Sequence, residues 1–197
     1  MRLLQKHILA RIYNWHQVDS QIFRSAQMYG NHISFLLEFY RIASVINLRG
    51  ANPESIWYHS EIETCRDLGV IHLDIPLHSR RLPKQSTLLQ LVSAFESANR
   101  PILLKCSGGA DRTALASALY ILHKHGPPAY NLAMQQMAFI PYLHFPMRHQ
   151  RWIKYFPKFF KTYNEGVLDY DWVNFRYTTD LFAEWLQKRD LENTWRH

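Results

Sequence analysis

The residues best suited to chemistry are Cys106 and Arg112, which are separated by five residues. An apolar run over residues 101–105 precedes the cysteine, and an apolar helical pattern follows the arginine. This segment predicts a buried strand, a short loop and a helix, with both side chains at the loop. The spacing by itself is weak evidence, so the interpretation depends on the strand–loop–helix context.

The loop has the composition of an anion-binding site. Gly108 and Gly109 permit positive φ angles, which let successive backbone N–H groups converge on one point. The N-terminus of the following helix would face the same point, where it favours a phosphate and a thiolate alike. Arg112 offers a planar fork for two phosphate oxygens, and Thr113 offers a hydroxyl for the sulfur. These residues would support catalysis through a phosphocysteine; the simpler alternative is a buried cysteine before a tight turn.

The segment resembles the Cys-x5-Arg signature loop of the protein tyrosine phosphatase superfamily, particularly its small dual-specificity-like bacterial members. Three further segments occur in the order and spacing of similar segments in that group: Phe23-Arg-Ser-Ala-Gln27, Val45-Ile-Asn-Leu-Arg-Gly50 and His72-Leu-Asp-Ile-Pro-Leu77. The resemblance covers about residues 20–140. It implies a central sheet flanked by helices, and hydrolysis of phosphomonoesters without a metal or a cofactor. Cys106 would be the nucleophile and Arg112 the phosphate clamp.

The resemblance also assigns roles to the rest of the loop. Its backbone amides would form the phosphate cradle. The substrate-binding residues would then include Ser107, Gly108, Gly109 and Ala110. The family usually has His directly before the cysteine, where this chain has Lys105. Lys105 would either add positive charge for the substrate or point away along the strand.

The general acid that protonates the leaving oxygen is open between two aspartates. Family members commonly carry it on a loop upstream of the cysteine, but Asp74, the candidate there, falls inside a predicted strand. Asp111 directly precedes Arg112, a position to which the acid has been assigned in some bacterial lipid and tyrosine phosphatases and in the myotubularins. We favour Asp111, followed by Asp74, and then His78 or water. Otherwise Asp111 would stabilise the loop beside an arginine, and Asp74 would bind a neighbouring helix.

Other basic residues surround the predicted loop. His78, Arg80 and Arg81 form a basic segment expected to overhang the pocket mouth. There they would bind a second anionic group of the substrate, or they would form a solvated turn. Arg24 and Arg49 lie near strand ends, where they would add positive charge to the pocket or form salt bridges within the scaffold; we favour the scaffold.

A basic and aromatic stretch runs from Arg148 to Lys161. Its basic residues recur close to one helical face, and aromatic residues lie between them. The pattern predicts a surface helix, interrupted at Pro157, that packs its aromatic side chains on the core. The alternative is a surface that binds an anionic membrane.

Short apolar runs alternate with longer helical patterns, which predicts an α/β fold with a central, mostly parallel sheet flanked by helices. The predicted strands are Gln21–Ala26, Ser44–Leu48, Val70–Leu77 and Pro101–Cys106. The predicted helices are Ser34–Arg41, Glu54–Leu68, Ser86–Ala98, Ala114–His123 and Ala129–Phe139, with further helical pieces after Pro141. We expect one domain over residues 1–197, with a phosphatase-like core at about 20–140 and a helical extension at about 141–197.

Composition narrows the protein class. The chain has 197 residues, of which 47% are hydrophobic and 20% charged, which excludes a disordered, collagen-like or disulfide-stapled protein. A formal net charge of +7 favours anionic partners. We expect no metal, because the eleven histidines lack a ligand spacing. With two cysteines, no signal-like segment and no apolar run long enough to span a membrane, we expect a cytoplasmic protein. Cys65 is expected to be a small buried residue on a helix.

These features predict a cysteine-dependent phosphomonoester hydrolase, most simply a tyrosine or dual-specificity protein phosphatase with a phosphorylated protein as substrate. The alternative is a phosphoinositide or other phospholipid phosphatase, which the loop aspartate and the basic tail favour. The positive net charge by itself also fits an RNA 5′-phosphatase, which is a third hypothesis. Nucleic acid is nevertheless not the partner we expect. A catalytically silent phosphate-binding module is the non-enzymatic alternative, supported by Lys105 and by the absence of a carboxylate in residues 78–83.

Overall fold

A computed structural model describes residues 2–196 of the chain. It contains the sheet that carries the loop. Its strands are β1 (His16–Gln17), β2 (Ile22–Ser25), β3 (Ser44–Asn47), β4 (Ile71–Asp74) and β5 (Ile102–Lys105). They lie in the order β1-β2-β5-β3-β4. β1 is antiparallel to β2, and every other neighbouring pair is parallel. The predicted α/β fold with a mostly parallel sheet is confirmed, and Cys106 directly follows the central strand.

Helices cover both faces of this sheet. They are α1 (Arg2–Ile12), α2 (Asn31–Phe39), α3 (Ile56–Asp67), α4 (Gln85–Ser97), α5 (Asp111–His125), α6 (Tyr130–Gln135), α7 (Phe156–Tyr163), α8 (Tyr170–Arg176) and α9 (Thr179–Gln187). Short 3-10 helices span Pro127–Ala129, Arg148–Tyr155 and Glu192–Thr194. Among residues 2–196, no helix has both the length and the apolar character needed to cross a bilayer.

The two faces of the sheet contribute to separate apolar clusters. Successive residues of a strand point to opposite faces, so adjacent positions of β3 and β5 divide between them. Val45 and Leu103 pack with residues of α1, α2 and α3. Ile46 and Leu104 pack with residues of α4, α5 and the C-terminal helices. Because both faces are covered, β3 and β5 carry consecutive apolar residues at their centres, Val45-Ile46 and Leu103-Leu104.

The C-terminal part of the chain belongs to the second of these clusters. Trp152, Phe156, Phe159 and Phe160 have no exposed surface and share the cluster with residues of α4 and α5. The predicted packing of these aromatic side chains on the core is therefore confirmed. The five basic residues of the same stretch are all exposed: Arg148, Arg151, Lys154, Lys158 and Lys161.

Several boundaries differ from the predicted ones. β4 ends at Asp74 rather than Leu77, because Pro76 has no N–H to donate to a neighbouring strand. α5 begins at Asp111 rather than Ala114, so the end of the loop forms the first helical turn. α6 ends at Gln135, short of the predicted Phe139. The sequence reading did not predict α1 or β1.

Candidate active site

The loop between β5 and α5 is held tightly against the end of β2. Gly109 has a φ of +63°, in the left-handed region that favours glycine. A Cβ at this position would lie 2.5 Å from the Ala26 nitrogen and 2.7 Å from the Ser25 carbonyl carbon. The backbone N–H of Gln27 also donates to the Ser107 carbonyl at 3.1 Å. The loop therefore needs glycine at this position, as its composition predicts.

Two buried side chains bind the carbonyl groups of the loop from behind. The Asn14 amide donates to the carbonyls of Gly108 at 3.3 Å and Gly109 at 3.0 Å. Arg24 Nη2 donates to the carbonyls of Gly109 at 3.1 Å and Ala110 at 3.2 Å. Since the N–H and C=O of a peptide unit point in opposite directions, the intervening N–H groups point toward the other side of the loop. This is the arrangement that an amide cradle for an anion requires.

Cations lie close to the thiol of Cys106, which is 2% exposed. Burial lowers the pKa of Arg24 to about 10, which leaves its guanidinium charged at neutral pH. Arg24 and Arg49 both interact electrostatically with Cys106. The two guanidinium groups and the N-terminus of α5 thus make this end of β5 electropositive.

Arg112 and Thr113 take different positions in the first turn of α5. Arg112 Nη2 donates to the Ser107 hydroxyl at 2.6 Å, so the guanidinium is tied to the beginning of the loop. Thr113 is buried, and its hydroxyl donates to the Ala110 carbonyl at 3.2 Å. The structure thus brings Arg112 to the open side and engages Thr113 with the loop backbone.

Asp111 is held by residues of the C-terminal part of the chain. Gln150 Nε2 donates to its Oδ2 at 3.0 Å, and His144 Nε2 lies 3.4 Å from its Oδ1. His144 is buried, and its Nδ1 lies 2.9 Å from the Met137 carbonyl. A carbonyl oxygen can only accept, so Nδ1 carries a proton and Nε2 faces the carboxyl. Burial lowers the pKa of His144, which favours a neutral ring with an unprotonated Nε2.

Asp74 lies at a different place in the sheet. β4 is separated from β5 by β3. The Asn47 amide donates to Asp74 Oδ1 at 2.7 Å, and the Tyr58 hydroxyl donates to Oδ2. Burial, together with this hydrogen bond, raises the pKa of Tyr58 to about 12. Both carboxylate oxygens are therefore engaged within the scaffold, and Asp111 is the candidate acid that lies in the loop.

Lys105 has no exposed surface, and its ammonium group is bound inside the protein. Its Nζ lies 2.6 Å from Glu61 Oε1 and donates to Gln27 Oε1 at 2.8 Å. His72 Nε2 lies 2.8 Å from the same Glu61 oxygen. Burial alone would raise the pKa of Glu61, but His72 and Lys105 outweigh it and lower the pKa. Lys105 therefore contributes to an internal ion pair and does not line the cavity where a substrate-binding role is expected.

A basic cavity of about 320 Å³ opens beside Arg112. Its lining comprises Leu77, His78, Ser79, Arg80, Arg81, Arg112 and Arg196. The backbone N–H of Arg196 donates to the Arg80 carbonyl at 2.7 Å, which ties the end of the chain to this basic segment. Burial, followed by the nearby Arg81 and Arg112, lowers the pKa of His78 and leaves its ring neutral at pH 7. The expected basic segment is thus next to Arg112, with one additional arginine, Arg196.

Four residues that contact the loop, Asp111 or the basic segment were not predicted from the sequence: Asn14, His144, Gln150 and Arg196. Each comes from a segment distant in sequence, and no local motif marks any of them. The positions of His144 and Gln150 follow from tertiary packing of the C-terminal part over α5.

Comparison with known proteins agrees on the fold. No protein-family model and no curated protein matches the sequence. Tk-PTP in its active form has a TM-score of 0.60 at 15% identity, covering 77% of this chain and 98% of that one. PTPMT1 has a TM-score of 0.58 at 19% identity, covering 75% and 96%. The core catalytic domain of the PP-IP phosphatase SIW14 from S. cerevisiae has a TM-score of 0.51 at 17% identity, covering 93% and 96%.

These matches define the class of fold to which the chain belongs. It has the protein tyrosine phosphatase fold of the dual-specificity-like type, as the sequence resemblance implies. The match to SIW14 covers 93% of the chain, so it reaches into the residues after 141.

Proposed function

We propose that the protein is a metal-independent phosphomonoester hydrolase of the tyrosine or dual-specificity phosphatase type. One observation carries this proposal: a buried thiol at the end of a central strand opens a loop whose amides face inward and which Arg112 closes. Such a loop can hold a phosphate directly in front of a nucleophile, with a helix N-terminus behind it. The non-enzymatic module is less well supported, because Lys105 is neutralised by Glu61 rather than added to the phosphate site.

The reaction proceeds in two displacements. The Cys106 thiolate attacks phosphorus, the S–P bond forms, and the bond from phosphorus to the leaving oxygen breaks. Arg112 and the loop amides stabilise the charge on the equatorial oxygens, while Asp111 gives its proton to the leaving oxygen. Water then attacks the phosphocysteine and gives its proton to Asp111. The S–P bond breaks, which releases inorganic phosphate and restores the thiolate.

The environment of Asp111 supports its role as the acid. Because the Nδ1 proton of His144 is committed to the Met137 carbonyl, a neutral His144 presents only an acceptor to Asp111. His144 therefore faces Asp111 with a ring nitrogen that would not compete with the carboxyl in donating a proton. Gln150 fixes the second carboxyl oxygen. The carboxyl is thereby held in a fixed orientation at the start of α5.

The basic cavity extends the proposal to the substrate. Arg80, Arg81 and Arg196 lie beside Arg112, so a phosphomonoester with another anionic group nearby would be favoured. A phosphorylated protein segment with acidic neighbours has this character. Solved structures of the same fold hold phosphotyrosine, in TpbA from P. aeruginosa, and PI(5)P, in PTPMT1. These two ligands define a suitable substrate panel.

The test is hydrolysis of an aryl phosphate in EDTA, comparing the wild type with Cys106→Ser. We expect activity that survives chelation and is lost in the variant. Activity that depends on added metal, or that persists in Cys106→Ser, would overturn the proposal. Phosphotyrosine peptides, phosphoserine peptides and PI(5)P are then compared. A preference for PI(5)P over both peptides would replace the protein-phosphatase assignment with the lipid one.

A further inference from the structure

Large apolar side chains are exposed in two segments next to the loop. In α1 they are Leu3, Leu4, Ile8 and Ile12, and in residues 139–147 they are Phe139, Ile140, Leu143, Phe145 and Met147. Each of these side chains is between 50% and 78% exposed. Single exposed apolar residues are ordinary, but a concentration of this kind marks an interaction site.

The two segments form one surface, which we call the apolar face. A cavity of about 400 Å³ between them is lined by His7 and Arg11 of α1 and by Pro141 and Leu143. Within α1, Leu9 is buried, whereas Leu4, Ile8 and Ile12, spaced four residues apart, point outward. The helix therefore turns an apolar stripe toward solvent, the reverse of a helix that packs only on its own core.

Exposed cations border the apolar face. Arg11 lies within α1, Arg148 follows directly after residues 139–147, and Arg151 and Lys154 lie one and two helical turns further on. The whole chain carries a formal net charge of +7. Two copies of such a face would bring like charges together, whereas an anionic bilayer supplies both apolar depth and negative charge.

We propose that the apolar face and its bordering cations dock on the surface of an anionic phospholipid bilayer. Trp152, Phe156, Phe159 and Phe160 are buried, so the apolar part of this surface differs from the one that the sequence pattern offered as an alternative. Docking would involve elements that hold the catalytic loop. Asn14, just after α1, bonds the Gly108 and Gly109 carbonyls and also the Tyr142 carbonyl. Membrane docking would therefore act on segments that contact the loop directly.

The test is co-sedimentation with vesicles of phosphatidylcholine alone and of phosphatidylcholine with phosphatidylserine. Phe145→Asp and Ile8→Asp place a charge in the two halves of the apolar face. Phe175→Asp, on α8, is the matched control, because Phe175 is 77% exposed and Phe145 is 76% exposed. Cys106→Ser is included, so that binding is measured independently of the proposed catalytic activity.

We expect the wild type, Cys106→Ser and Phe175→Asp to bind the phosphatidylserine vesicles alike. Phe145→Asp and Ile8→Asp should each weaken that binding by about tenfold or more, and raised salt should weaken it further. Equal binding by Phe145→Asp and Phe175→Asp, or no binding by the wild type, would overturn the inference. So would a wild-type dimer in sedimentation velocity that Phe145→Asp dissociates, because the apolar face would then be an interface between copies.

Discussion

Gly108 and Gly109 are adjacent in the loop, yet their surroundings differ. A Cβ at Gly108 would meet no atom within 4 Å, whereas at Gly109 it would collide with the backbone of Ser25 and Ala26. Of these two glycines, only Gly109 has a positive φ. One glycine is therefore required by the close approach of β2, and the other is tolerant of a side chain.

Gly109→Ala should destabilise the protein by about 1–3 kcal/mol or more, because it adds backbone strain and a collision that β2 must relieve by moving. Gly108→Ala, the matched control, should cost less than about 1 kcal/mol. Urea unfolding monitored by tryptophan fluorescence measures both. Equal losses for the two variants would mean that the loop does not pack against β2 as described.

His144→Gln tests the proton arrangement around Asp111. A good leaving group departs without a proton, so we expect little change with 4-nitrophenyl phosphate. A poor leaving group needs the acid, so the rate with phenyl phosphate should fall about tenfold or more. His123→Gln is the control, because its Nδ1 also contacts a backbone carbonyl, that of Leu168 at 2.8 Å. An equal loss of rate with both esters would mean that His144 contributes to packing and not to the function of the acid.

At the scale of elements, the loop depends on what lies on both sides of β5. Lys105 at the end of β5 joins Glu61 of α3, and that contact fixes the sheet to the helices of one face. On the other face, α5 begins at Asp111 and receives the C-terminal residues that bind it. The loop is thus anchored through its flanking strand and helix, which limits how far it can move.

Lys105→Met should lower the free energy of unfolding by about 3–5 kcal/mol at pH 7, because it leaves Glu61 buried without its cation. The pKa of Glu61 in the folded protein lies below its ordinary value of 4.5. The stability from its ionised form is therefore complete above that value and is lost as the pH falls through the lower folded-state pKa. The difference between wild type and variant should shrink accordingly in acid.

Lys124→Met provides the comparison, because Lys124 forms an ion pair of similar length, 2.8 Å, with Asp19 but is 40% exposed. Its loss should cost only about 0–1 kcal/mol. Unfolding in urea at pH 7 and below pH 4 measures both pairs. A cost for Lys105→Met no larger than for Lys124→Met would contradict the buried ion pair.

The basic segment between β4 and α4 yields a separate prediction about substrate. Arg81→Ser should raise KM for phosphopeptides with acidic neighbours by about tenfold, with kcat and the hydrolysis of 4-nitrophenyl phosphate unchanged, because that ester has no second anion. Arg176→Ser, an exposed arginine on α8, is the control. If KM rose equally for the aryl ester, Arg81 would act on the reacting phosphate or on folding instead.

Across the whole molecule, the sequence predicted the site residues that lie within one continuous segment. It did not predict those that tertiary packing brings to the site from distant segments. Cys106 and Arg112 lie in one strand–loop–helix unit, so their positions could be predicted from local pattern. His144 and Arg196 reach the site only because the C-terminal part packs on α5 and on the basic segment. α1 escaped prediction for a related reason: its outward stripe is apolar, so its pattern does not mark a helix that packs on the core.

Removal of residues 141–197 should abolish cooperative unfolding, because Trp152, Phe159 and Trp185 fill the same core as α4 and α5. Removal of residues 1–12 is the control. Of the side chains that the structure describes in that segment, only Leu9 is buried. Thermal unfolding followed by circular dichroism measures both. A cooperative transition in the protein ending at residue 140 would show that residues 20–140 form a core of their own.

The sheet separates the only two cysteines of the sequence. Cys65 packs with α1, α2 and α3, whereas Cys106 belongs to the cluster on the opposite face. Burial raises the pKa of Cys65 to about 12, so it remains a thiol. A sulfenic acid formed on Cys106 by peroxide would have no second thiol of this chain to form a protective disulfide with. Recovery from oxidation would then depend on the reductants of the surroundings, and stronger oxidation would inactivate the protein irreversibly.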